Sequence, residues 1–252
     1  MTKNEALFKY ILRLADTNLI LGHRLSEWCG HGPYLEEDIA MANIGLDLIG
    51  QANSLLQYAA RIEGKGRTED DLAFNRNERE YYNSLLSEHP NGDFAFTMIR
   101  QFLSDAFDIH FYEALKTSRD ETLAALAAKG HKEVTYHLRH STAWIVRLGD
   151  GTEESHQRTQ KAINELWRFT GDLFASDEAE LLMVKEGIAV DLQLMLPKWK
   201  QTVSEVISRA TLTLPEQSWQ QQGSRQAKHT EHLGFLLAEM QHLHRTYPQA
   251  QW

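Results

Sequence analysis

The stretch EEDIAMANIGLDLIGQANSLLQYAARI, residues 36 to 62, carries the clearest statement of the architecture. It contains no proline, carries Ile39, Leu46, Ile49, Leu56 and Ala60 at helical spacing, and is followed by Gly64-Lys65-Gly66, a helix stop. That pattern predicts one uninterrupted amphipathic helix, long for a globular domain, with those apolar residues on its inner side. Asn43, Asp47, Gly50, Asn53 and Ser54 fall on or next to the same side. Gly45 and Gly50 cost the helix interior about 1 kcal/mol each relative to Ala, so their presence predicts close backbone approach.

Before this stretch, Glu5 to Trp28 places Phe8, Ile11, Leu12, Ala15, Leu19, Gly22 and Leu25 on one helical stripe, and Cys29-Gly30-His31-Gly32-Pro33 ends it. After it, residues 64 to 77 read as a polar crossover, followed by a short helix from about Asn77 to Ser87 and a turn at Asn91-Gly92. A second long pair follows, at about 94 to 117 and 121 to 148, closed by Gly149-Asp150-Gly151. Further helices are expected at about 155 to 175, 177 to 186, 191 to 210 and 230 to 246, with a weakly patterned Gln-rich stretch from 211 to 228. No segment has the composition of a domain linker. The expected architecture is all-α, a single domain over 1–252. Its core is a ferritin-like four-helix bundle of two hairpins, about 5–62 and 94–148, with covering helices over about 155–246.

Composition agrees. The chain has 33 Leu and 24 Ala against 6 Val, 12 Ile and 5 Pro, a usage that favours helix over sheet. A formal charge of -9, with no Lys/Arg cluster, argues against nucleic acid as a partner. No run approaches the ~20 apolar residues of a membrane span, so the expected location is the cytoplasm. Cys29, the single cysteine, excludes a disulfide within the chain and is expected to be a small buried hydrophobe. His229-Thr230-Glu231-His232 and His242-Leu243-His244 lack metal-ligand spacing and are expected at the surface or an interface.

The inner polar residues can be tested against one chemistry. A di-iron carboxylate site in such a bundle takes a lone carboxylate from each of two helices and Glu-x-x-His from each of the other two, because i and i+3 share a face. Asp16 and Asp105 stand as lone carboxylates. Asp47-Leu48-Ile49-Gly50, 31 residues after Asp16, ends in glycine, and Glu133-Val134-Thr135-Tyr136, 28 residues after Asp105, ends in tyrosine. Both imidazoles are missing at the required register, so Asp16, Asp47, Gly50, Asp105, Glu133 and Tyr136 read as a degenerate set, and no catalytic or metal residue is assigned. His137, one place beyond the register, is expected to form a buried charge-assisted pair with Glu133.

Several longer motifs carry a resemblance: EWCGHGP (27–33), ANIGLDLIGQA (42–52), LAFNRNER (72–79), KEVTYHLR (132–139), LWRFT (166–170), EGIAVD (186–191) and HTEHLGFLLAEMQ (229–241). Together they resemble the C-subunit family of the bacterial multicomponent ring-1,2-phenylacetyl-CoA epoxidases, nearly end to end. That resemblance implies a non-catalytic, ferritin-like structural subunit without a cofactor of its own. It would pair with a catalytic A subunit that holds the di-iron centre and binds phenylacetyl-CoA, with a B subunit and a reductase in the wider system; the broad face of the long helices gives the further expectation of self-association when alone. Two rival readings stand beside it. One is a divergent di-metal oxidase using Asp16, Asp47, Asp105, Glu133 and His137; the other is a CoA-binding helical module using Lys132, Arg139 and Arg147.

Overall fold

Two long helices open the chain, α1 (Lys3–Ser26) and α2 (Leu35–Glu63), and both follow from local sequence. At the start of α1 the Thr2 hydroxyl accepts from the Glu5 N–H at 3.3 Å while the Glu5 carboxylate accepts from the Thr2 N–H at 2.7 Å, a reciprocal cap. α2 ends where expected, on Gly64, whose φ of +67° suits a residue without Cβ. The crossover differs from expectation. It holds a six-residue helix, α3 (Glu69–Phe74), capped by Thr68 and Asp71, and two 3-10 turns, Glu78–Glu80 and Leu85–Glu88, in place of a helix over 77 to 87. That segment has no apolar stripe, and side-chain hydrogen bonds hold it instead.

The helices of the second half are α4 (Phe94–Leu115), α5 (Glu121–Gly149), α6 (Glu153–Leu166), α7 (Glu178–Lys185), α8 (Leu192–Arg209), α9 (Glu231–Met240) and α10 (His242–Thr246). A 3-10 segment, Trp167–Phe174, follows α6. The computed structural model describes residues 1–216, 219–248 and 250; the weakly patterned stretch 211–228 includes Gln217 and Ser218, which lie outside them. Among the described residues there is no strand, and no helix is long and apolar enough to cross a membrane.

The chain divides into two compact units. The first comprises Met1–Pro90, Asp177–Met183 and the chain from Gly223 onward; the second comprises Asn91–Ser176 and Val184–Gln222. In the first unit α1 and α2 form the leading hairpin around Leu21, Leu25, Ile44 and Leu48, all buried. In the second, α4 and α5 form the other hairpin, with α6 and α8 against α4. Trp199 of α8 donates its indole N–H to the Leu103 carbonyl at 3.2 Å and stacks on Trp167 at 5.6 Å, so one fully buried aromatic fixes α8 to α4 by shape and by a satisfied polar tip.

The α1–α2 hairpin closes through glycine. A Cβ on Gly22 would lie 3.0 Å from Ile49 Cγ1, 3.1 Å from the Gly45 carbonyl oxygen and 3.2 Å from Leu48 Cβ. Gly22→Val is therefore expected to pry the two helices apart at a cost of about 1–3 kcal/mol, read as a lower urea midpoint at unchanged m-value. A variant as stable as the parent would contradict this packing.

The inward face of α2 corrects the sequence reading. Ile39 and Leu46, expected inside, are 53% and 66% exposed, while Met41, Ile44, Gly45, Leu48, Ala52, Leu55, Leu56 and Ala59 are buried. Asn43 and Asn53 are exposed, and Gly50 faces open space with nothing within 4 Å of a would-be Cβ. The helix carries two apolar stripes, and periodicity alone does not say which one meets α1. Cys29 is likewise exposed rather than buried.

Candidate functional site

α1 carries its polar residues into a set of buried ion pairs. Asp16, fully buried, accepts from Arg76 Nη1 at 3.0 Å and from the Tyr82 N–H at 3.0 Å through Oδ2, while Oδ1 accepts a second, short bond from Arg76 Nη2. Arg76 also donates to the Glu80 carbonyl at 2.7 Å and lies 4.1 Å over the Tyr81 ring. Gln241 Nε2 reaches the Arg76 carbonyl at 3.0 Å and the Tyr81 hydroxyl at 3.1 Å. Burial pushes the Tyr81 phenol up to about 12, keeping it a neutral donor. An Asp neutralised by a guanidinium fork across both oxygens, with a backbone N–H as a third donor, is committed to a structural ion pair rather than presented to a metal. The donor set at Asp16 does not fit a di-iron ligand.

A second buried acid does comparable work. Glu88 accepts from Asn83 Nδ2 at 3.0 Å, His229 Nδ1 at 2.6 Å, the Thr230 N–H at 2.7 Å and the Thr230 hydroxyl at 2.6 Å. His229 Nε2 lies 2.9 Å from the Tyr81 carbonyl oxygen. Both ring nitrogens thus face acceptors and both must donate, which requires the imidazolium. Burial opposes that charge, but the Glu88 carboxylate outweighs it and raises the His229 pKa. Its stabilising contribution is fully present below the ordinary value of 6.5 and is lost as pH rises through the raised folded value. The parent chain is expected to weaken toward urea as pH is raised from about 6 to 9, and His229→Gln to lose that part of the dependence. An identical pH profile for the two chains would contradict a charged His229.

Further along α1, Arg13 meets Glu180 at 3.0 Å, and Lys9 meets Asp177 at 2.8 Å. Arg225 joins Glu180 at 3.3 Å. The crossover and the opening of α7 are thereby bound to α1, and the C-terminal part is bound to them in turn through Arg225, His229 and Gln241.

In the second unit the polar cluster centres on Asp105 of α4, which is 1% exposed. It accepts from Gln101 Nε2 at 2.7 Å and from the Ser141 hydroxyl of α5 at 2.7 Å. Burial raises its pKa to about 6, against the opposing pull of His137, the two hydrogen bonds and His140. Half-buried Asp108, one turn on, is pushed well above the usual range by burial and by Asp105.

The remaining sequence positions are dispersed. Asp47 is half-buried, Gly50 open, and Tyr136 42% exposed with its ring stacked on His140 at 6.3 Å. Glu133 is half-buried, 3.6 Å from Lys129, and buried His137 acts electrostatically on Asp105. Among the described residues no group of three or more His, Cys, Asp or Glu side chains is disposed to hold a metal ion. Lys132, Arg139 and Arg147 are exposed, the last two lying over Tyr136 and Trp144 at 5.5 and 5.1 Å. Two open clefts, of about 410 Å³ beside Glu78 and His242 and about 230 Å³ beside His110 and Asp191, each offer one cation, Arg245 and Lys198. A CoA phosphate site gathers several. Arg76, Glu88, His229 and Ser141 escaped the sequence reading as partners, although Arg76, His137 and His229 all sit inside the quoted motifs.

With this geometry in place, comparison with known proteins gives a consistent result. The whole sequence, residues 1–252, matches the family described as Phenylacetic acid catabolic protein. The chain belongs to that family. It is 51% identical over 246 residues, 98% of this chain and 99% of the relative, to the C subunit of 1,2-phenylacetyl-CoA epoxidase from Escherichia coli strain K12.

Proposed function

We propose that this chain is the non-catalytic structural subunit of a multicomponent monooxygenase that epoxidises the ring of phenylacetyl-CoA in aerobic phenylacetate breakdown in the cytoplasm. Its two long hairpins build a ferritin-like bundle that docks on a catalytic A subunit, the holder of the di-iron centre. A B subunit and an electron-delivering reductase complete the system, and the chain self-associates when expressed alone. The observation that carries this reading is Asp16, whose carboxylate is consumed by Arg76 and the Tyr82 N–H where a working site needs a free ligand. The 51% identity to a C subunit over nearly the full length supports it. A scaffold cross-linked by buried ion pairs such as Asp16–Arg76 stabilises a partner that binds its folded form.

Co-expression with the A subunit followed by size exclusion tests the pairing. The two chains are expected to elute as one species that survives dilution to about 1 μM, as an obligate interface would. Separate elution would overturn the proposal.

A further inference from the structure

The C-terminal segment lies across the crossover on contacts that are mostly polar. In α9 only Leu233, Leu236 and Leu237 are buried, and in α10 no residue is. The other fastenings are side-chain hydrogen bonds. At the near end His229 and Thr230 hold Glu88, with the His229 ring set between that carboxylate at 2.6 Å and the Tyr81 carbonyl oxygen at 2.9 Å. At the far end Gln241 holds the Arg76 carbonyl and the Tyr81 hydroxyl. Arg245 donates to the Phe74 and Arg76 carbonyls at 3.1 and 2.9 Å, and the His244 ring stacks on Phe74 at 5.1 Å. The turn that leads into this segment is strained, because Ala227 stands at φ +52°, where a Cβ crowds the following carbonyl oxygen. Few apolar contacts and a strained point of entry mark a segment that opens by itself before the domain unfolds.

We infer that residues 229 to 246 form a strap, hinged at Ala227, that is latched on the crossover while His229 is charged and released as one unit when His229 loses its proton. A neutral imidazole has one N–H for the two acceptors that face it. Whichever tautomer forms, either the Glu88 carboxylate or the Tyr81 carbonyl is left opposite a lone pair, and the near end of the strap loses a bond. Burial opposes the charge on His229, and Glu88, the Tyr81 carbonyl and, farther off, Glu78 favour it. Lys228, Glu231 and His232 adjoin it in sequence; His232 lies 5.4 Å from the His89 ring, and Arg24 of α1 donates to the Glu88 carbonyl at 2.7 Å. The Tyr81 phenol, pushed by burial up to about 12, stays neutral over the range in which the latch works. Opening frees the hydroxyl of fully buried Tyr81 and the carbonyls of Phe74 and Arg76, so one proton changes the surface that the crossover presents.

Hydrogen exchange of the full chain tests this, read by mass spectrometry from pH 6 to 9 with each peptide's rate divided by its intrinsic rate at that pH. Peptides from 231 to 246 are expected to open at least tenfold more often than those of α1 and α2 at every pH, and about tenfold more often at pH 9 than at pH 6. His229→Gln is expected to be as open at pH 6 as the parent is at pH 9, and to lose the dependence. Arg245→Ala removes a far fastening without touching the latch, so it is expected to raise opening of the strap by a similar factor at every pH and to keep the parent's dependence. Strap and hairpin peptides that open together at every pH would overturn the inference. A parent strap whose opening does not change with pH would do the same, as would a His229→Gln strap that keeps the parent's dependence. An Arg245→Ala strap no more open than the parent would contradict a segment fastened at both ends and equally overturn it.

Discussion

Replacing Arg76 by Ala is expected to lower the stability of the chain by about 3–5 kcal/mol, because it leaves the Asp16 carboxylate buried without its counter-charge. The loss exceeds that of an ordinary surface pair for a geometric reason: Arg76 is 2% exposed and Asp16 is 0% exposed. The same guanidinium also holds the Glu80 carbonyl at 2.7 Å, so the crossover loosens with it. Arg76→Lys restores a charge but not the fork and is expected to recover only part of the loss. The double change Asp16→Leu, Arg76→Met removes both charges and is expected to lie well above Arg76→Ala in urea midpoint. A single variant within about 1 kcal/mol of the parent would show that this pair does not clamp α1 to the crossover.

Asp105 is expected to set a second pH dependence, of the same sign as that of His229 but in a more acidic window. Its folded pKa of about 6 lies above the unperturbed 3.8, so between these values the folded state holds a proton that the unfolded chain has released. Stability falls as pH rises through that window, by about 3 kcal/mol in all. Below it the acid is neutral, and the Gln101 amide, whose Oε1 is buried without a partner, can turn to accept its proton. Asp105→Asn removes the titration. The variant is expected to be close to the parent near pH 4 and more stable above pH 7 by a sizeable part of that figure. Unfolding curves at the two pH values check this. His229 does not confuse the result, since its contribution is common to parent and variant and cancels in their difference at each pH.

Helices and their ends were readable because the residues that write them are local. Thr2 and Glu5 cap α1, Gly64 stops α2, and the long proline-free stretches need no distant partner to be helical. The inward face of α2 was not readable, because Ile39 and Leu46 satisfy the helical period as well as Ile44 and Leu48 do. Packing against α1 through Gly22 and Gly45 chooses between the stripes, and that contact joins residues far apart in sequence. The candidate site divides the same way. Asp16 and Asp105 stood out as carboxylates on apolar stripes, but Arg76 lies 60 positions from Asp16 and His229 lies 141 from Glu88. Single-sequence spacing contains no signal for such pairs. What the sequence did contain was the absence of both register histidines, at Gly50 and Tyr136.

Turnover of phenylacetyl-CoA, measured per assembled complex reconstituted with this chain bearing Asp105→Asn and Glu133→Gln together, decides whether chemistry resides here. A scaffold predicts turnover equal to that of the parent complex once the amount of complex is matched, with any change confined to stability and yield. Turnover abolished in a complex of equal yield and equal melting temperature would place these carboxylates in an active site and contradict the structural role.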